Sequence, residues 1–166
     1  MKNFLQVSAL LIVISFQVNA QNFWQITNGP FGGAQVNDFL KYNDSIIFIG
    51  TTEGIIKSVD NGNNWERISA VTKYIKFLAM DSVSTLYATA KDESNNPYFL
   101  KSTDSGITWL KINNNFWADF TDILVTYKDT IILGSWDKGL YRSVDNNQSW
   151  IQINNGLDYL KIYKII

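Results

Sequence analysis

Three aspartates of the 166-residue chain share one setting. Asp60 lies in Ser58-Val59-Asp60-Asn61-Gly62-Asn63-Asn64-Trp65, and Asp104 in Ser102-Thr103-Asp104-Ser105-Gly106-Ile107-Thr108-Trp109. Asp145 lies in Ser143-Val144-Asp145-Asn146-Asn147-Gln148-Ser149-Trp150, where Asn147 takes the glycine place of the pattern S-x-D-x-G-x-x-W. A carboxylate among so many amide and hydroxyl oxygens could hold calcium. The spacing departs from D-x-[DN]-x-[DN]-G, however, and the closing bidentate glutamate is missing. Turn formation fits better. The Asp can accept hydrogen bonds from backbone N–H groups two or three residues on. The position two after it needs positive φ, which Gly supplies freely and Asn tolerates next best. The Trp gives a large ring to pack over the turn. Ser58, Asp60, Gly62 and Trp65, and their counterparts in the other two copies, are therefore structural, with no catalytic role and no metal or cofactor expected.

A second set could bind a ligand. Trp117 and Trp136 lie near Asp119 and Asp137 in sequence. Aromatic rings stack on sugars, and carboxylates accept hydrogen bonds from sugar hydroxyls. The competing reading has both indoles covering gaps between structural units. The chain has no Cys and no His. That removes disulfides, thiol nucleophiles, Ser-His-Asp triads and His/Cys metal sites. A formal net charge of −1 leaves no basic footprint for nucleic acid.

Each octad stands between two strand-like runs, as in Gly54-Ile55-Ile56-Lys57 before and Trp65-Glu66-Arg67-Ile68 after, which reads as a hairpin. The three Asp residues are spaced by 44 and 41 residues. A period of about 40 to 50 residues with several short strands per unit predicts a propeller or similar array. The fold class is all-β, with four-stranded antiparallel units over 36–69, 73–113 and 120–154. Their fourth strands are expected at 64–69, 108–113 and 149–154. The second strands share a small-residue ending: Ile49-Gly50-Thr51, Tyr87-Ala88-Thr89 and Leu133-Gly134-Ser135. The third strands share a basic step into the octad, at Lys57, Lys101 and Arg142.

The octads resemble Asp-boxes, also called BNR repeats. These occur in sialidases, sortilin-type receptors, xyloglucan-cleaving glycosidases and photosystem-assembly-factor-like propellers. The resemblance implies β-propeller blades with the octad between strands three and four. It implies a binding face at the opposite end of each blade, formed by loops 28–35 and 113–120 and by those carrying Glu53, Lys91 to Pro97 and Trp136 to Lys138. The motif marks a fold element common to enzymes and non-enzymes. Asp-box sialidases need several arginines to grip a carboxylated sugar, and this chain has only Arg67 and Arg142.

Residues 1–20 read as a signal peptide, with Lys2 in the n-region, an apolar run over 4–18 and short residues at Val18-Asn19-Ala20. The run is short for a membrane span and carries Gln6 and Gln17, so stable membrane insertion is not expected. Residues 22–27 resemble an outgoing strand without an octad before it, as a closing strand would. Residues 157–166 resemble the first strand of a fresh unit. The expectation is three whole blades plus strands of a fourth, in a fragment of a longer protein or a chain that self-associates to cover open blade faces. The expected function is an exported, non-catalytic module for a protein or polysaccharide. The alternative is a remnant of an Asp-box glycoside hydrolase, closer to xyloglucanases than to sialidases.

Overall fold

The computed structural model describes residues 33–68, 74–112, 118–126, 130–145 and 147–166. The segments read as a signal peptide (1–20) and a closing strand (22–27), together with Trp117, lie outside the described residues. The described elements are twelve strands in three four-stranded sheets, with no helix among them. The first sheet holds β1 (Val36–Lys41), β2 (Ile47–Thr51), β3 (Gly54–Ser58) and β4 (Glu66–Arg67), in that spatial order. The second holds β5 (Tyr74–Met80), β6 (Leu86–Lys91), β7 (Pro97–Ser102) and β8 (Leu110–Ile112). The third holds β9 (Phe120–Val125), β10 (Ile131–Ser135), β11 (Leu140–Ser143) and β12 (Ile151–Gln152). Every pairing is antiparallel between sequence neighbours.

The first strand of each sheet has an irregularity at the same place: between Val36 and Asp38, between Ile75 and Phe77, and across Phe120–Asp122. An extra residue in a strand shifts the alternation of faces by one. Apolar residues three apart therefore land on one face. Ile75 and Leu78 both enter the core shared with the first sheet, and Phe120 and Ile123 both enter the core shared with the second. The middle sheet serves two cores by simple alternation. Leu86, Ala88, Ala90, Tyr98 and Leu100 face the first sheet. Tyr87 and Phe99 face the third, where Phe99 stacks on Trp150 at 5.3 Å and meets Phe120 at 5.2 Å. Two of the three octad tryptophans belong to these cores: Trp109 packs against the first and Trp150 against the second, while Trp65 stays with its own turn, its Nε1–H donating to the Gly62 carbonyl at 2.9 Å.

Polar clasps fix the spacing between sheets. Asp38 accepts the backbone N–H of Leu78 at 2.8 Å. Lys57, the basic step into the first octad, reaches the carbonyl of Ser105 in the second at 3.0 Å. The two glycines of this interface touch side chains of the neighbouring sheet. A Cβ on Gly50 would lie 2.7 Å from Ile75 Cγ2, and one on Gly106 would strike the Phe48 ring.

The octads close by one scheme. The Ser58, Ser102 and Ser143 hydroxyls donate to Asp60, Asp104 and Asp145 at 2.9, 2.8 and 2.9 Å. The same hydroxyls accept the N–H of Gly62, Gly106 and Asn147. Each Asp then accepts the N–H four residues on, from Asn64, Thr108 and Ser149 at 2.8 to 2.9 Å. This is one residue further than the two or three expected, although Asp104 also accepts the N–H three residues on, from Ile107 at 3.1 Å. It shortens the fourth strands to 66–67, 110–112 and 151–152, because an N–H held by the carboxylate is withdrawn from the ladder. Two residues of the first two turns are left-handed rather than one: Asn61 (φ 58°) with Gly62 (89°), and Ser105 (58°) with Gly106 (78°). The second-strand alignment also shifts. Pairing places Ala88-Thr89-Ala90, not Tyr87-Ala88-Thr89, level with Ile49-Gly50-Thr51, since Leu86 faces Ser102 as Ile47 faces Ser58.

Candidate functional site

Three of the four residues singled out for binding meet in one place. Asp119, Trp136 and Asp137 line a cavity of about 290 Å³ with Lys91, Asn95, Pro97, Ala118 and Lys138. Trp117 lies outside the described residues. The cavity opens where the second-to-third strand turns of sheets two and three meet the start of β9, at the opposite end of the strands from the octads.

Local hydrogen bonds hold its walls. Asp92 Oδ1 accepts the N–H groups of Ser94 and Asn96, which fixes the turn carrying Asn95 in a left-handed conformation at φ 68°. Ser135 Oγ donates to the Gly139 carbonyl at 2.8 Å and accepts the Lys138 N–H at 3.0 Å, which pins the 136–138 turn. The Trp136 N–H donates to the Asp119 carbonyl at 2.9 Å, joining that turn to the entry of β9. A rim built this way is ordered before any ligand arrives.

Charge is concentrated at Asp119. Lys76 and Lys91 both lie 3.1 Å from its Oδ1, with side chains 25% and 22% exposed. Partial burial acts to raise the Asp119 pKa, and the two ammonium groups more than offset it, so the carboxyl stays below its ordinary value. Trp136 is 47% exposed, and its ring is already engaged. Lys161 Nζ sits 3.6 Å from the ring centroid, and Tyr163 meets it edge-on at 5.6 Å and 80°. Lys76, Lys161 and Tyr163 were not among the residues singled out from sequence. Lys76 stands at the strand irregularity of β5, and the other two come from a segment with no ladder of its own.

A second, larger cavity of about 620 Å³ lies between the octads of sheets two and three, bordered by Thr103, Thr108, Leu110 and Asn147. The Asn147 amide is buried and neither its oxygen nor its nitrogen has a partner among the described residues. No group of three or more potential metal ligands occurs among the described residues.

No family model matches this chain, and no curated protein matches it. Solved structures do. It is similar to YCF48 from Cyanidioschyzon merolae, with a TM-score of 0.59 and 14% identity over 71% of this chain and 36% of that one. The fold is a partial β-propeller. An ancestral GH74 enzyme matches with a TM-score of 0.63 and 20% identity, over 78% of this chain and 20% of that one. YCF48 bound to D1 peptide matches with a TM-score of 0.56 and 17% identity, over 71% of this chain and 40% of that one. The chain thus spans about a fifth to two fifths of the length of these proteins. The three sheets are blades, β1, β5 and β9 are their innermost strands, and the candidate site lies between the second and third blades.

Proposed function

We propose that the chain is an exported, non-catalytic propeller module that binds a protein segment in the cavity between blades two and three. The observation that carries this reading is the Lys76–Asp119–Lys91 cluster at the cavity mouth. A carboxylate held ionised by two ammonium groups is a fixed anchor, not a proton donor. Lys91, Asp119, Asp137 and Lys138 set both signs of charge around one rigid rim, as suits the donors and acceptors of a polypeptide. A sugar stacking on Trp136 would have to displace Lys161 from whichever ring face it covers. Similarity to YCF48 bound to D1 peptide supports the protein reading over the polysaccharide one.

The test is a parallel screen of peptide and glycan arrays with the mature chain, plus a hydrolysis assay on xyloglucan. Peptide hits are expected to weaken in both Trp136→Ala and Lys91→Met. N-terminal sequencing of secreted material should begin at Gln21. The glycosidase remnant is the second reading, favoured by Asp119 and Asp137 lining one cavity. Turnover that disappears in Asp119→Asn or Asp137→Asn would establish that reading and remove ours.

A further inference from the structure

The third octad departs from the other two at one position, and that position borders a cavity. Where they have Gly62 and Gly106, it has Asn147. At the interface of blades one and two, the place beside Gly106 is taken by the Phe48 ring, which a Cβ there would strike. At the interface of blades two and three, Asn147 brings a side chain to the equivalent place. Its backbone keeps the octad geometry, with φ 71° and an N–H donated to Ser143 Oγ at 3.1 Å. Its amide makes no bond within the turn. The residue is 3% exposed, and both amide atoms are buried without a hydrogen-bond partner.

A buried amide costs stability unless it is paired. The turn has no need of it, since two octads close with glycine. A polar group kept at a cost calls for another use. The cavity of about 620 Å³ between the octads supplies one, because Asn147 stands at its wall. Small-molecule sites commonly enclose about 300–1,000 Å³.

The wall narrows the chemistry of the ligand. A carboxamide offers two N–H donors and a carbonyl acceptor, so its complement presents an acceptor and a donor side by side, as an amide does. Gln148 brings a second carboxamide to the rim. Leu110, 70% exposed, and Ile112 give an apolar stretch. Lys101 is the one charged residue among the described lining residues, and an ammonium favours a carboxylate over a cation. No aromatic ring stands among those residues to stack on a nucleobase or a sugar.

We propose that this cavity binds a small N-acylated amino acid. Its acylamino group pairs with Asn147, its apolar side chain lies on Leu110 and Ile112, and its carboxylate turns toward Lys101. The Asn147 amide is sealed from water in this conformation, so it turns toward the cavity to meet the ligand. The bonds it forms there displace none in the protein. The site lies at the opposite end of the blades from the Asp119 cavity and does not depend on the proposed function.

The probe is N-acetyl-leucine, titrated into the isotope-labelled full chain. Saturable shifts are expected at the Asn147 side-chain amide and at the Leu110 and Ile112 methyls. The ester of the same shape, 2-acetoxy-4-methylpentanoic acid, lacks the N–H donor and should bind about tenfold more weakly. N-Acetylglucosamine carries the acylamino group without the apolar chain or the carboxylate, and should bind more weakly than N-acetyl-leucine. Asn147→Gly should erase the difference between amide and ester. That variant sheds an unpaired buried amide, so the change cannot be ascribed to unfolding. Leu110→Ser should weaken both ligands and keep their ratio, and Trp136→Ala should alter neither. Absence of saturable binding, equal affinity for amide and ester, an unchanged ratio in Asn147→Gly, or shifts centred on Trp136 would overturn the proposal. So would N-acetylglucosamine binding more tightly than N-acetyl-leucine.

Discussion

The residue that departs from the repeat shows what the octad requires. Asn147 adopts φ 71°, as its place demands, but its amide is buried without a hydrogen-bond partner among the described residues. Leaving a buried polar group unsatisfied costs about 1–3 kcal/mol. Glycine keeps the backbone angle and removes the amide, so Asn147→Gly should raise stability by about 1 kcal/mol. Urea unfolding of the two proteins would read this directly, and a loss of stability would mean that the side chain fills space that matters more than its polarity. The octad aspartates give the chain an acid limit. The side-chain hydrogen bond from Thr108, then its backbone N–H, lowers the Asp104 pKa from 3.8 to about 2, and Ser149 does the same for Asp145. A carboxyl whose folded pKa is depressed stabilises the fold above its unfolded pKa and ceases to do so below its folded one. The contribution of both groups is thus complete above about pH 4 and disappears as pH falls toward 2. Asp104→Asn should be less stable at neutral pH and should flatten the urea midpoint between pH 4 and 2. A variant with the unaltered slope would remove Asp104 as a source of the acid sensitivity.

At the scale of the element, one glycine does two jobs and its twin does one. Gly62 and Gly106 both have left-handed backbones, which cost an alanine about 1–2 kcal/mol. A Cβ on Gly62 would meet only Trp65 Cζ2, at 3.5 Å. A Cβ on Gly106 would strike Phe48, a fully buried ring. Gly106→Ala should therefore be worse than Gly62→Ala by about 1–3 kcal/mol in denaturant unfolding, and equal losses would show that the Phe48 ring yields. The same division explains what could be read from the chain alone. Ser58, Asp60 and Gly62 act on their own turn, so their spacing is visible in sequence. Lys57, Lys101 and Arg142 were visible as a repeated basic step, but the job of Lys57 needs Ser105 from the next blade. The 162–166 segment was legible only as a strand start, because apolar residues three apart fit a helix period rather than a strand's until a strand irregularity, as between Ile75 and Phe77, places them on one face. Asp119, Trp136 and Asp137 could be picked out because they stand in loops. Lys76 and Lys161 could not, because blade packing brings them in.

At the scale of the whole molecule, the second blade is the keystone, and alternation along β7 makes this testable. Leu100 and Phe99 are adjacent and fully buried, but Leu100 enters the core with blade one and Phe99 the core with blade three. In a stacked array each unit couples to its neighbours alone, so damage to one interface should spread through the unit that loses its support. Truncating a buried aromatic ring costs about 3–5 kcal/mol and a leucine about 2–5 kcal/mol. Phe99→Ala removes the stack on Trp150 and the contact with Phe120, the two rings that anchor blade three. Hydrogen exchange should then quicken in β9, β10 and β11 while β1 to β3 keep their protection. Leu100→Ala should reverse the pattern, loosening β1 to β3, because Phe48 and Ile55 lose their partner in the first core. The candidate site spans blades two and three, so Phe99→Ala should also weaken any peptide bound beside Trp136, and Leu100→Ala should leave it nearly intact. Uniform loss of protection in both variants would mean that the three blades unfold as one unit, and that the middle blade transmits strain rather than separating two cores.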